Sequence, residues 1–173
     1  MKAIETKRLI LRPFKESDYD DLFEFLHQLK DDPFEGYPDL TYESCRENLA
    51  QRLGSDEFYA VEWKETGKVI GNVFFGNLPY QTREAGYIIR EEYRRKGCAL
   101  EALDAITEQA FRHGVHRVTA RCDVHNDASW KLLEKAGFTR EAHFRQNTFT
   151  QKDGAGRPIW RDTYVYGKLA SDF

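Results

Sequence analysis

Arg90-Glu91-Glu92-Tyr93-Arg94-Arg95-Lys96-Gly97-Cys98-Ala99-Leu100-Glu101-Ala102-Leu103 decides how the rest of the chain is read, because a strand-like run reaches a basic, glycine-containing turn that opens straight into a helix. The helix is read from Ala99, Leu103, Ile106 and Ala110, whose spacing lines one face. The first turn of a helix holds backbone N–H groups without intrahelical partners and carries partial positive charge, so such a junction suits a phosphate or pyrophosphate. Gly97 gives a ligand close access to the main chain, and Arg94, Arg95 and Lys96 add charge beside it. The chain has no Gly-x-x-x-x-Gly-Lys-Ser/Thr run and no Gly-x-Gly-x-x-Gly run, which disfavours a nucleoside triphosphate or a dinucleotide as that ligand.

Working outward, Ala85 to Arg90 reads as the strand that feeds this turn. Before it, Phe58 to Trp63 and Val69 to Phe75 are aromatic and β-branched runs joined by Glu65-Thr66-Gly67-Lys68, a hairpin signal. Further upstream lie a short strand, Leu9 to Arg12, and two helices. The first begins at a capping-box-like Ser17 with Asp20 and buries Leu22, Phe25, Leu26 and Leu29; the second follows Thr41 as N-cap and carries Tyr42, Cys45, Leu49 and Leu53. Pro33 and Gly36 mark the loop between them. Downstream, Val118, Ala120, Cys122 and Val124 alternate with Arg117, Thr119, Arg121 and Asp123 as in a strand with one buried face, and a helix then runs to the Gly137 stop. From Arg140 two strands flank Asp153-Gly154-Ala155-Gly156-Arg157-Pro158, which reads as a mobile, turn-rich connection. The expected class is α/β: a mixed, mostly antiparallel central sheet flanked by helices, built by residues 1–173 as one domain.

Two blocks carry a family resemblance. Arg94-x-x-Gly97-x-Ala99 before an amphipathic helix is similar to the acetyl-coenzyme A loop of the Gcn5-related N-acetyltransferase (GNAT) superfamily, whose pattern is Arg/Gln-x-x-Gly-x-Gly/Ala. Val118 to Phe138, with Asn126-x-x-Ser129 and Leu133-x-Lys135-x-Gly137-Phe138, resembles the next strand and helix of that family. The ends, Thr6-Lys7-Arg8-Leu9-Ile10-Leu11-Arg12-Pro13 and Trp160-Arg161-Asp162-Thr163-Tyr164-Val165-Tyr166-Gly167, are similar to the RimJ/RimL-type branch of ribosomal-protein N-terminal acetyltransferases. The resemblance implies an acyl-CoA N-acyltransferase fold with a splayed parallel strand pair. It also implies acetyl-CoA as cosubstrate and direct acetyl transfer to a primary amine in a ternary complex. The acceptor it implies first is a protein N-terminal α-amine. A polyamine, aminoglycoside or amino-acid-like small molecule is the alternative, and a non-catalytic acetyl-CoA sensor is a third reading.

The same resemblance assigns roles residue by residue. Main-chain groups of Arg94, Arg95, Lys96, Gly97, Cys98, Ala99 and Leu100 would hold the pyrophosphate. Backbone groups of Tyr87, Ile88 and Ile89 would align the pantetheine arm like an added strand, which needs a gap in the sheet. Asn126 would contact the coenzyme, or act simply as an N-cap for the following helix. Glu84, two residues before Gly86, is the candidate base against a reading as a solvated strand-edge carboxylate. No tyrosine falls between Trp130 and Lys135, so Ser129 is the candidate partner of the leaving thiolate, against an exposed first-turn serine.

Composition narrows the partners. The chain has 173 residues and a formal net charge of -3 with 32% charged residues, which gives no global field for nucleic acid or an anionic membrane. No apolar run is long enough for a bilayer and no signal-peptide pattern stands at the N-terminus, so a cytoplasmic protein is expected, as a monomer or homodimer. Cys45, Cys98 and Cys122 and the scattered His27, His113, His116, His125 and His143 lack metal-ligand spacing, so no metal is expected. Acidic residues from Glu16 to Asp39 suggest either a negative rim for a cationic acceptor or a solvated helix face, and Phe34, Tyr37, Tyr42 and Tyr80 are candidate groove walls.

Overall fold

The computed structural model describes residues 3–35, 37 and 40–173; Gly36 and Asp39 lie outside the described residues. Its strands are β1 (Ile4–Glu5), β2 (Leu9–Arg12), β3 (Phe58–Trp63), β4 (Val69–Leu78), β5 (Thr82–Ile89), β6 (Arg117–Asp123), β7 (Thr139–Thr148) and β8 (Arg161–Leu169). They form one sheet in the order β1-β2-β3-β4-β5-β6-β8-β7. Every neighbouring pair is antiparallel except β5 and β6, which run parallel. Parallel neighbours need a long crossover, and α3 (Cys98–Arg112) supplies it.

The other helices are α1 (Tyr19–His27), α2 (Cys45–Arg52) and α4 (Asp127–Lys135). One core joins α3 and α4 to one face of the sheet through Leu103, Ile106, Leu133, Val118, Ala120 and Tyr166. The other joins α1 and α2 to the opposite face through Leu22, Phe25, Leu26, Leu49, Ala60 and Val69. Strand alternation assigns side chains to these faces: on β5, Ala85, Tyr87 and Ile89 belong to the α3/α4 core, whereas Ile88 belongs to the α1/α2 core.

Buried Arg12 ties the start of α1 to the sheet. It donates from Nη1 and Nη2 to the two oxygens of Asp18 at 2.7 and 2.9 Å and from Nε to Glu62 at 2.5 Å. Removing one partner from such a buried network costs about 3–5 kcal/mol, because the remaining charges stay desolvated. Asp18 also accepts from the Lys15 N–H at 2.8 Å, in a 3-10 turn over Glu16–Asp18 that precedes α1. This corrects the expected Ser17–Asp20 box: the carboxylate that fixes the helix entry is Asp18. The N-cap of α2 is Ser44 and not the expected Thr41, which stands three residues earlier and accepts from the Ser44 N–H at 3.0 Å while Ser44 Oγ accepts from the Thr41 N–H at 2.9 Å.

The β5 strand begins at Thr82, earlier than its apolar run, because it forms a hairpin with β4. The turn between them uses positive φ at Tyr80 and Gln81, residue types that do not advertise it. The segment after β7 turns where expected: the Asp153 carboxylate accepts from the N–H groups of Ala155 and Arg157 at 2.9 and 3.0 Å and from Arg157 Nε at 2.8 Å.

Candidate active site

The parallel pair is short. Its register runs from Thr82 with Arg117 to Ala85 with Ala120, after which the two strands part while β5 stays paired to β4 up to Ile89. The edge of β5 from Gly86 to Ile89 therefore borders a gap. Within it the backbone alternates. The Ile88 carbonyl points at β4, so close that a Cβ on Gly71 would sit 2.0 Å from it. Alternation then turns the main-chain groups of Tyr87 and Ile89 toward the gap. Of the three residues expected to align a pantetheine arm, Tyr87 and Ile89 are so oriented and Ile88 is not. Arg94 Nε donates to the Ile89 carbonyl at 3.1 Å, so the side chain of the basic turn already reaches this edge.

The gap leads to the turn before α3. Arg95 at φ +60° and Gly97 at φ +79° both adopt the left-handed conformation, which folds successive amides into a concavity of the kind that holds anions. Among the described residues, no main-chain carbonyl accepts in good geometry from the N–H groups of residues 95–100. Glu101 resumes normal pairing, donating to the Gly97 carbonyl at 3.0 Å. Arg94, Arg95, Lys96 and Gly97 are exposed, Ala99 and Leu100 are half-buried, and Cys98 is buried with its thiol pushed up by desolvation, so Cys98 offers its amide rather than a nucleophile. The turn is fastened from behind by Arg8, which donates from Nη1 to the Lys96 carbonyl at 2.8 Å and from Nε to Glu101 at 2.7 Å. A diphosphate followed by an extended amide-bearing arm fits this arrangement: unpaired N–H groups for the first, an open strand edge for the second.

At the start of α4, Asn126 accepts from the Ser129 N–H at 3.1 Å through its Oδ1, the helix-cap geometry. Ser129 Oγ lies 2.9 Å from the phenol oxygen of Tyr87. Cys122 is beside them, its thiol pushed up to about 11 by desolvation, with the Ser129 hydroxyl acting in the opposite direction. The Tyr87 side chain was not among the expected functional groups. The alternation of Ala85, Tyr87 and Ile89 was the available signal, since it sends the ring to the α4 side.

On the α1/α2 face of the same gap, Glu84 Oε1 lies 3.3 Å from Arg121 Nε. Glu84 is still within the paired stretch, opposite Thr119, one residue before the last register pair. Beyond it on β6, Asp123 pairs with Arg161, whose guanidinium lies 5.2 Å from the Phe34 ring. Phe34 thus stands at this face. Tyr42 packs instead on Tyr19 and Phe23, Tyr37 packs against the α1/α2 core, and Tyr80 protrudes at the β4–β5 turn. Part of the acidic run is neutralised by pairing: Asp18 with Arg12, Asp21 and Glu24 with Lys68 and Arg90. Among the described residues no three His, Cys, Asp or Glu side chains gather as a metal cage, and no helix is long and apolar enough to cross a membrane.

Residues 8–139 match the acetyltransferase (GNAT) domain model. The uncharacterized N-acetyltransferase YnaD of Bacillus subtilis (strain 168) is 27% identical, with 98% of each chain covered. The [ribosomal protein uS5]-alanine N-acetyltransferase of Escherichia coli (strain K12) is 28% identical over 73% of this chain and 64% of its own. The crystal structure of a GNAT-family acetyltransferase from Bacillus anthracis superposes with a TM-score of 0.83 at 25% identity, covering 98% of this chain and 99% of that one. With the splayed strand pair, the free amides and the domain match in agreement, the chain belongs to the GNAT family and is an acetyl-CoA-dependent N-acetyltransferase.

Proposed function

We propose that the acceptor is the N-terminal α-amine of a polypeptide. The observation that carries this reading is the wall of the acceptor face. Phe149, Ile159 and Trp160 are left exposed on the segment between β7 and β8. That segment reaches the α1–α2 loop through the Thr150 hydroxyl, which donates to the Pro33 carbonyl at 3.1 Å, and Arg161 at the start of β8 lies on Phe34 of the same loop. Exposed apolar side chains at this face suit a peptide better than a small, highly charged cation. The pairing of Asp18, Asp21 and Glu24 with Arg12, Lys68 and Arg90 removes part of the field that would favour a polycation. The uS5-alanine acetyltransferase relative supports the same choice.

In this reading the amides of residues 95–100 and the cations of Arg94, Arg95 and Lys96 hold the diphosphate, and Tyr87 and Ile89 align the arm that ends in the thioester. Asn126 shapes the end of the arm's channel by capping α4 over it. Glu84 takes the proton from the attacking nitrogen, directly or through one water, as the C–N bond forms. Ser129 donates a hydrogen bond to the sulfur as the C–S bond breaks, and the thiolate takes its proton from solvent. Arg121 holds Glu84 against the acceptor face.

The test is acetyl-CoA turnover by the purified chain, read as free thiol and product mass. The acceptors are alanine-initiated peptides with free and with blocked N-termini, compared with polyamines and aminoglycosides. Turnover confined to peptides with a free α-amine is expected. Faster turnover of a polyamine, or of a blocked peptide through its lysines, overturns the assignment.

A further inference from the structure

We infer that the Tyr87 phenol is a positioning residue for Ser129, holding the serine hydroxyl so that its proton faces the departing sulfur. The inference rests on the role given to Ser129 above and adds a residue to it. Ser129 is constrained on three sides. Its N–H is taken by Asn126 Oδ1 at 3.1 Å, its carbonyl accepts from the Tyr87 hydroxyl at 3.2 Å, and its Oγ lies 2.9 Å from the same hydroxyl. With the phenol as donor to Oγ as well as to the serine's carbonyl, an acceptor site on the serine oxygen is occupied. The serine O–H is thereby left to turn to another acceptor; within the protein that acceptor is the Cys122 sulfur, whose place a coenzyme sulfur entering the gap would take.

Tyr87 carries the two functions on one residue. Its main chain faces the gap where β6 has left β5, and its ring spans the core to α4. Coenzyme alignment and serine orientation are in this way set by a single strand position.

The pair acts without passing a proton along. Burial pushes the Tyr87 phenol well above its usual range, so a transient tyrosinate is disfavoured, and a serine hydroxyl is a weaker acid still. What remains is a fixed dipole aimed where negative charge develops, which is worth most when it needs no reorganisation.

The acceptor-independent test titrates the thiol of bound coenzyme A by the ultraviolet absorbance of its thiolate, in the wild-type chain, Tyr87→Phe, Ser129→Ala and the double variant. A donor aimed at sulfur stabilises the thiolate, so Ser129→Ala is expected to raise the bound thiol's pKa by about one unit, a tenfold change. Tyr87→Phe, which keeps the ring in the core, is expected to raise it by a comparable amount. The double variant should match Ser129→Ala, since two groups acting as one unit are not additive. Coenzyme affinity measured below the thiol pKa should stay within threefold or so in all variants if only orientation is lost. A Tyr87→Phe titration identical to wild type, with Ser129→Ala shifted, overturns the inference and leaves Ser129 in place. Additive shifts also overturn it. An unshifted Ser129→Ala removes the serine's role and with it the inference.

Discussion

At Gly97 the backbone sits at φ +79°, and a Cβ built there would rest 3.5 Å from Arg8 Nη2, an ordinary contact. Torsion rather than crowding therefore demands glycine at this position. Holding an L-residue at that φ costs about 1–2 kcal/mol, more for a β-branched one, and the chain relieves it by turning the very amides that face the ligand. Gly97→Val, being β-branched, should lower unfolding stability by about 2 kcal/mol or more and raise the KM for acetyl-CoA at least roughly tenfold. Denaturant titration and initial rates check both; an unchanged KM would place the diphosphate elsewhere. Glu84 makes a complementary prediction. Glu84→Gln should cut kcat by about 10² near neutral pH and less at high pH, where the acceptor amine is already neutral, with coenzyme affinity unchanged. A pH-rate profile parallel to the wild type would remove Glu84 from the reaction.

Among the elements, α3 and the turn between β1 and β2 are joined by a device that the sequence does not display. Glu101, in the first turn of α3, accepts from the Thr6 hydroxyl at 2.6 Å and from the Arg8 N–H and guanidinium at 2.9 and 2.7 Å. Burial alone would push its carboxyl up, but these hydrogen bonds and the Arg8 charge outweigh it and hold the group below its ordinary value. A folded-state pKa below the unfolded one gives stability that is fully present above the unfolded value, about 4.3, and is lost as pH falls through the lower folded value. Glu101→Gln should therefore cost about 1–2 kcal/mol at neutral pH, and the difference from wild type should shrink as pH drops below about 4. Urea midpoints across that range measure it; a gap that stays constant would show that the carboxylate charge is immaterial. The periodicity of Ala99, Leu103, Ile106 and Ala110 is local and marks α3, and the strict alternation from Arg117 to Asp123 marks β6 with its buried face. The Arg8–Glu101 brace, the Tyr87–Ser129 contact and the turn at Tyr80 and Gln81 join distant residues or use torsions untypical of their residue types, so no local pattern announces them.

Across the whole molecule the sheet divides into β1 to β5 on one side and β6, β8 and β7 on the other, joined by the pairs from Thr82–Arg117 to Ala85–Ala120. Beyond Ala85 the two parts are linked through α3 and α4 rather than by backbone pairing. A ligand whose arm lies along β5 and whose diphosphate sits on the turn before α3 fills the seam between them, so binding should stabilise the fold as one unit. At a free concentration a hundred times Kd the linkage amounts to about 2.7 kcal/mol, which for a chain of this length corresponds to a rise in Tm of roughly 5–10 °C. Arg94, Arg95 and Lys96 are exposed, so the rise should diminish in high salt. Hydrogen exchange resolves where the protection arises. Coenzyme should slow exchange at the amides of residues 95–100 and at Tyr87 and Ile89, which face the gap. It should leave Ile88 nearly unchanged, because Ile88 is already directed at β4. Protection spread evenly over Tyr87, Ile88 and Ile89 would mean that the strand shifts on binding, and protection confined to α3 would mean that the arm does not lie along β5.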